Sequence, residues 1–190
     1  IDSANRTDCG AVIAAHLFGV AAPLFRINHE NLIEDCAQCL GISSEGVKAG
    51  SMGKLSLSSF YGTKIIAAGH GGVLAGNDER LFKTAMNILV HDKVEEWIPH
   101  LHFMMSDLNA ALGLSQLRKI KFLLRRRRKI AAAYIEALGK KTVLPENEMI
   151  FRFNVVPVKN NAESLIQTFR KNGIEAKKPV YKPVFKLLKM

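Results

Sequence analysis

Cysteine is scarce in this chain: Cys9, Cys36 and Cys39 are the only three in 190 residues. An odd, low count excludes a disulfide framework and points to a reducing compartment, so the expected location is cytoplasmic. Long apolar runs are missing too. None approaches the roughly 20 residues of a membrane span, which excludes a transmembrane helix. The opening stretch, IDSANRTDCG, has neither a basic start nor an apolar core, and no signal peptide is read there. It begins at Ile1 rather than Met and reads as a piece of a longer protein. There is no internal repeat and no low-complexity segment. Acidic residues are the minority, 17 against 27 Lys and Arg, for a formal net charge of +10. Such a balance suggests an anionic partner.

What is present suits a globular fold. The chain is 48% hydrophobic and 23% charged, enough for one sizeable core or two small ones. Positive charge gathers in residues 118–129, RKIKFLLRRRRK, and in 170–189. That run lacks a pattern of interleaved aromatics and belongs to no nucleic-acid module, so nucleic acid is a poor fit. Arg125 to Arg128 read as a solvated helix face, with a phosphate-bearing small ligand or an acidic partner chain as alternatives. Cys36-x-x-Cys39 has the spacing of a metal or redox half-site. There is no second such pair and no suitably spaced histidine pair. It is read as two small, partly buried side chains on a short helix, with no metal site.

Hydrophobic periodicity gives a coarse map. CGAVIAAHLFG (9–19) reads as a buried strand feeding a loop, and NLIED (31–35) as a second strand ending in acids. CAQCLG then predicts one or two helical turns closed by Gly41. KLSLSSF (54–60) alternates as a strand should, and GGVLAG (71–76) is a short strand between glycines. NDERLFKTAMNIL predicts a helix capped by Asn77 or Asp78. A long helical stretch runs from a cap at Ser106 to Gly139, with Gly113 as its weak point. Beyond it come a strand over 149–158, a helix over 161–173 ending at Gly173, and a Pro-limited strand over 174–183. The sum is an α/β half, residues 1–105, a linking helix that starts at 106–117, and a small α+β domain over 118–190.

One lysine stands out in LSSFYGTKIIAAGHGGV. Lys64 lies just past the carboxyl end of a strand, and Asp35 lies at the carboxyl end of another. Open α/β sheets bind their ligands at that edge. Ser58 and Ser59 supply hydroxyls nearby, and Gly69, Gly71 and Gly72 permit close backbone approach. A desolvated lysine there becomes a nucleophile toward carbonyls, and an aspartate there can balance a cationic heterocycle. Pyridoxal phosphate uses both: a Schiff-base lysine and a carboxylate on its pyridine nitrogen.

Five segments in order add specificity: HLFG (16–19), IEDCAQCLG (33–41), GSMGKLSLSSFYGTK (50–64), GHGGVLAGND (69–78) and MSDLNAALGLSQL (105–117). Together with RRRRKIAAAYIEAL and NGIEAKKPVYKPVF, they resemble the DegT/DnrJ/EryC1/StrS family of pyridoxal-phosphate sugar aminotransferases, over nearly the whole chain. The resemblance implies an incomplete large domain of a fold type I enzyme, a mostly parallel sheet with flanking helices, followed by a small α+β domain. By motif, Lys64 resembles the Schiff-base lysine and Asp35 the pyridine-nitrogen partner. Gln38 resembles the residue beside the cofactor's ring and phenolic oxygen, and Ser59 a phosphate ligand. Relatives with histidine at the lysine position act as dehydratases, so Lys64 implies transamination. Where the family has an asparagine that reaches the partner subunit's cofactor phosphate, this chain has His102, and His70 stands where an acid is common. The family's N-terminal part, with a phosphate-binding turn and an aromatic that stacks on the cofactor, has no counterpart in these residues.

The implied activity transfers an amino group from an amino-acid donor, by family analogy glutamate, to a nucleotide-diphosphate keto sugar, in a homodimer with no membrane attachment. The alternative is a truncated or degenerate relative without catalysis, serving as a fragment or binding subunit.

Overall fold

The computed structural model describes residue 5 and residues 9–89, 99–138 and 162–178. Within them, three short apolar segments lie side by side. Strands β1 (Val12–Ala15), β2 (Leu32–Asp35) and β5 (Leu55–Ser59) run parallel in that order, and β6 (Gly72–Gly76) closes the edge antiparallel to β5. The sheet is mixed and mostly parallel, so the expected α/β class is observed. A two-stranded hairpin, β3 (Ser43–Ser44) and β4 (Val47–Lys48), interrupts the β2–β5 crossover. Glu45 and Gly46 turn it with φ of 50° and 80°, the positive pair a tight two-residue hairpin demands.

The register fixes which residues share a face. Ala14 pairs with Glu34 and Glu34 with Ser56, so these three point to one side, and all are buried. Ile13, Ile33, Asp35, Leu57 and Ser59 take the other side. On that face Ile13 is 69% exposed and Leu57 36% exposed. One small core joins Ala14, Leu24 and Leu32, and another joins Ala21, Cys36, Cys39 and Ile42. Burying each large aliphatic among these contributes about 1.5–3 kcal/mol.

Four helices complete the described part: α1 (Glu79–Leu89), α2 (Asp107–Arg118), α3 (Ile120–Leu138) and α4 (Ala162–Lys171). Asp78 Oδ1 accepts from the Leu81 N–H at 3.0 Å and starts α1, and Ser106 Oγ accepts from the Asn109 N–H to start α2. The α4 end is closed at Gly173, with φ 75° and its N–H on the Arg170 carbonyl.

Three local expectations are corrected. CAQCLG is no helix: the Cys39 N–H bonds the Cys36 carbonyl and the Ile42 N–H the Cys39 carbonyl, two successive turns. The long helix breaks at Lys119, whose N–H bonds both the Gln116 and Leu117 carbonyls, and not at Gly113. Residues 174–178 carry no strand. The strand expected over 149–158, the helix end at Gly139 and the rest of 174–183 lie outside the described residues.

Candidate active site

All four residues singled out lie at, or in the segments that follow, the carboxyl ends of the parallel strands β2 and β5. Asp35 ends β2, and its neighbour across the sheet is Leu57, two residues before Ser59 at the end of β5. Asp35 and Ser59 therefore share a face and an edge. Lys64 sits in the loop joining β5 to β6, and Gln38 in the turns after β2.

Each side chain leaves a defined capacity. Asp35 Oδ1 accepts from the Ala37 N–H at 2.9 Å. Among the described residues no donor engages Oδ2, which leaves it for a cationic N–H. Gln38 Oε1 accepts from the Phe18 N–H at 2.9 Å, which fixes the amide so that its NH2 is the free donor. That bond secures a tight turn in which Phe18 and Gly19 have φ of 58° and 79°. Ser59 Oγ accepts a long bond, 3.4 Å, from the Tyr61 N–H, leaving its own proton to donate.

The Lys64 loop is built, not slack. Phe60 N–H bonds the Gly71 carbonyl, Ala68 N–H bonds the Phe60 carbonyl, and Lys64 N–H bonds the Tyr61 carbonyl at 2.8 Å. Ile65, Ile66 and Ala68 are buried beneath it, while Lys64 is half-buried. Asn109 Nδ2 of α2 donates to the Ala68 carbonyl, pinning helix to loop. The glycines meet protein here. A Cβ on Gly71 would stand 2.5 Å from Met105 Sδ, and one on Gly72 would stand 2.6 Å from the Ser58 carbonyl oxygen. Gly113 packs α2 on the same loop, its Cβ position 3.5 Å from Ala68 Cβ. His70 tilts against Tyr61 at 5.6 Å between centroids, and His102 is exposed in the irregular segment before α2.

Sequence reasoning missed the pair beneath the sheet. His16 and Glu34 are buried at 2% and 0% exposure, joined Nε2 to Oε2 at 3.0 Å. Glu34 also accepts from the N–H groups of Gly50, Met52 and Gly53 at 2.7, 2.7 and 2.6 Å. Burial, the largest influence, raises the Glu34 pKa, yet these four donors outweigh it and hold the carboxyl below its usual range. Burial likewise pulls His16 down, and hydrogen bonds to Cys36 and Glu34 with their charges carry it above the ordinary value. The available signal was alternation: Ala14, Leu32 and Glu34 lie on the buried face, so a buried charge needed a partner. Nothing in the spacing named His16.

Comparison with known proteins now bears on the site. The model of the DegT/DnrJ/EryC1/StrS aminotransferase family matches residues 3–190. The chain belongs to that family. It is 31% identical over 135 residues to the GDP-perosamine synthase of Escherichia coli O157:H7, covering 65% of this chain and 37% of that protein. It is 29% identical over 149 residues to the UDP-4-amino-4,6-dideoxy-N-acetyl-beta-L-altrosamine transaminase of Campylobacter jejuni, covering 72% and 40%. The chain thus spans about two fifths of the length of these curated relatives. The crystal structure of a family aminotransferase from Brucella abortus matches with TM-score 0.76 and 26% identity over 91% of this chain and 50% of that one. The E. coli GDP-4-keto-6-deoxy-D-mannose-3-dehydratase with bound hydrated PLP matches with TM-score 0.83 over 98% and 57%, at 19% identity, a likeness of fold alone. The fold is that of the fold type I pyridoxal-phosphate enzymes, in part.

Proposed function

We propose that this chain is the lysine-bearing part of a pyridoxal-phosphate aminotransferase acting on a nucleotide-linked keto sugar. The observation that carries the reading is the shared edge: Asp35 and Gln38 lie at or just after the carboxyl end of β2, and Ser59 and Lys64 at or just after that of the neighbouring β5. The donor set fits the group. Asp35 offers one oxygen for the ring N–H, Gln38 an NH2 for the phenolic oxygen, Ser59 a hydroxyl for the phosphate, and Lys64 an amine. Bound there, pyridoxal phosphate supplies an electron sink for breaking the bond to an alpha proton. Lys64 anchors it covalently and moves the proton at its Nζ. Asp35 keeps the ring nitrogen protonated by its charge.

Substrate and assembly are part of the same proposal. Relatives named for GDP- and UDP-sugars support a nucleotide-diphosphate keto sugar as acceptor, with an amino acid such as glutamate as donor. Arg125 to Arg128 on α3 offer charge for the diphosphate. The segment leading into α2 exposes Phe103 at 75%, and the first turn of α2 exposes Leu108 at 85%, which supports a homodimer through that surface, with His102 at the junction. The division at residues 1–105, 106–117 and 118–190 is kept as the domain plan. Among the described residues no helix is long and apolar enough to cross a membrane, and we place the protein in the cytoplasm.

The test is chemical. Purified protein is incubated with pyridoxal phosphate, reduced with borohydride and mapped by mass spectrometry. The pyridoxyl group is expected on the peptide that contains Lys64 and is lost in Lys64→Ala. Label spread evenly over other lysines, or unchanged in Lys64→Ala, would favour the non-catalytic reading instead.

A further inference from the structure

The two-turn segment after β2 brings together three groups the proposed transamination does not use. The thiols of Cys36 and Cys39 and a ring nitrogen of His16 lie within 4.8 Å of one another, all buried. Cys36 and Cys39 are 3% and 0% exposed, and Ala49 and Leu124 pack against them. The Cys39 N–H bonds the Cys36 carbonyl at 3.1 Å, which closes a reverse turn with the two cysteines at its ends. A turn of this kind holds its end Cα atoms within about 7 Å, inside or near the span a disulfide needs.

A metal is the obvious first reading, and His16 argues against it. Its Nδ1 accepts from the Ala22 backbone N–H at 2.9 Å, so the ring proton belongs on Nε2, which points at Glu34. A metal on Nε2 would require the proton on Nδ1, directly against the Ala22 N–H. A metal on Nδ1 would displace that bond outright. His16 is built as a donor on Nε2 rather than as a ligand, and two thiols alone do not complete a zinc site.

We propose that Cys36 and Cys39 are a thiol–disulfide switch set into the strand end that carries Asp35. Cys36 is the attacking sulfur. The Cys39 thiol donates to it, and that bond outweighs burial and lowers its pKa to about 6. Cys39 is held in the thiol form, raised first by that same bond and then by burial. The oxidant is a hydroperoxide. A cavity of about 80 Å³ lined by His16, Ala21, Glu34 and Ala49 lies beside the cluster, large enough for a molecule of that size. The Cys36 thiolate attacks the terminal peroxide oxygen, the O–O bond breaks, and hydroxide leaves from hydrogen peroxide, or alkoxide from an organic hydroperoxide. The Cys39 thiol then attacks the Cys36 sulfenic acid, the S–S bond forms, and water leaves with the Cys39 proton. Sulfur loses two electrons and the peroxide gains them. Two equivalents of a small thiol reverse the step.

The switch acts on the site because Cys36 follows Asp35 directly and Gln38 lies between the two cysteines. That consequence rests on the cofactor reading of Asp35 and Gln38, whereas the disulfide does not. The test therefore has two arms. In the first, the purified reduced protein is treated with hydrogen peroxide, and accessible thiols are alkylated after unfolding. The count is expected to fall from three to one, with the mass two hydrogens lower and a linked Cys36–Cys39 peptide. Cys36→Ser and Cys39→Ser should each abolish the linked peptide. Three remaining thiols, or a stable sulfenic acid without linkage, would overturn the switch. So would one equivalent of zinc in the protein as purified that shields both thiols until chelated. In the second arm, borohydride labelling of Lys64 by pyridoxal phosphate is compared before and after oxidation. A loss restored by dithiothreitol supports control of the site. Equal labelling in both forms overturns that control and leaves the disulfide standing.

Discussion

Glu34 Oε2 lies 3.0 Å from His16 Nε2, with side-chain exposures of 0% and 1%. The carboxylate is the hub of the β1–β2–β5 packing, because the loop before β5 hangs on it by three backbone N–H groups. Glu34→Gln tests the charge at constant shape. Oε1 serves Met52 and Gly53, and Oε2 serves Gly50 and His16, so either amide orientation sets NH2 against two donors. A loss of about 1–3 kcal/mol in unfolding free energy is expected, read as a lower urea midpoint. An unchanged midpoint would mean that the four contacts are not formed in solution.

The same carboxylate sets an acid limit. Its folded pKa lies below its unfolded value. Its contribution to stability is therefore complete above the unfolded pKa and is lost as pH falls through the folded one. Wild-type protein should lose stability as pH falls below the ordinary glutamate range, about 4.3, and Glu34→Gln should lose less. Urea titrations at several pH values check the difference in slope. Parallel curves for the two proteins would show that another group sets the acid limit.

Gly71→Ala probes the Lys64 loop from its far end. Gly71 has φ 108°, and a Cβ there would meet Met105 Sδ at 2.5 Å. The methionine can shift, but the backbone strain stays, so a cost of about 1–3 kcal/mol is expected. The loop should open with it, since the Gly71 carbonyl holds Phe60 N–H. Faster amide exchange at Phe60 and Ala68, measured against wild type, is the readout.

How much of this was legible differs by element. Strands β2, β5 and β6 were readable because short apolar or alternating runs ended in acids, serines or glycines. The edge that carries Asp35 and Lys64 followed from strand direction alone. The site's polar wiring was not legible, because Gln38 meets Phe18 and His16 meets Glu34 across β1 and β2. Distant segments make those contacts, and local pattern is blind to them. Gly113 reads as the weak point, but its smallness serves packing on Ala68, while the break at Lys119 leaves the apolar pattern undisturbed. The hairpin at Glu45–Gly46 lacked the Asn-Gly or Asp-Gly signal that usually announces one. Cys36 and Cys39 looked inert because their third partner, His16, belongs to another strand's end.

Self-association tests the proposed dimer surface. Phe103 and Leu108 stand 75% and 85% exposed, with Leu101 and Met104 beside them at 48% and 58%. Single apolar residues are ordinary on a surface, but a contiguous group of this kind favours a partner. The protein should sediment as a dimer or larger, and Leu108→Glu should shift it toward monomer without changing its circular dichroism. A concentration-independent monomer in the wild type would remove the dimer from the proposal.

The order of effects among Lys64, Asp35 and Ser59 decides the cofactor site. Lys64→Ala removes both the covalent anchor and the proton carrier, so borohydride labelling and transamination should both vanish with the fold intact. Asp35→Asn should be nearly as damaging, for a reason the local geometry supplies. The Ala37 N–H fixes the amide oxygen of the new side chain in place of Oδ1, and the NH2 must then face the ring nitrogen. A donor there favours the unprotonated ring, the reverse of what Asp35 does, so labelling at Lys64 should persist while turnover collapses. Ser59→Ala removes one hydroxyl already loosely held by Tyr61 at 3.4 Å. It should weaken cofactor binding by about 1.5–3 kcal/mol, roughly ten- to hundred-fold in Kd, with turnover restored at saturating pyridoxal phosphate. Full activity in Lys64→Ala, or a turnover loss in Ser59→Ala that excess cofactor does not rescue, would break the assignment of these residues.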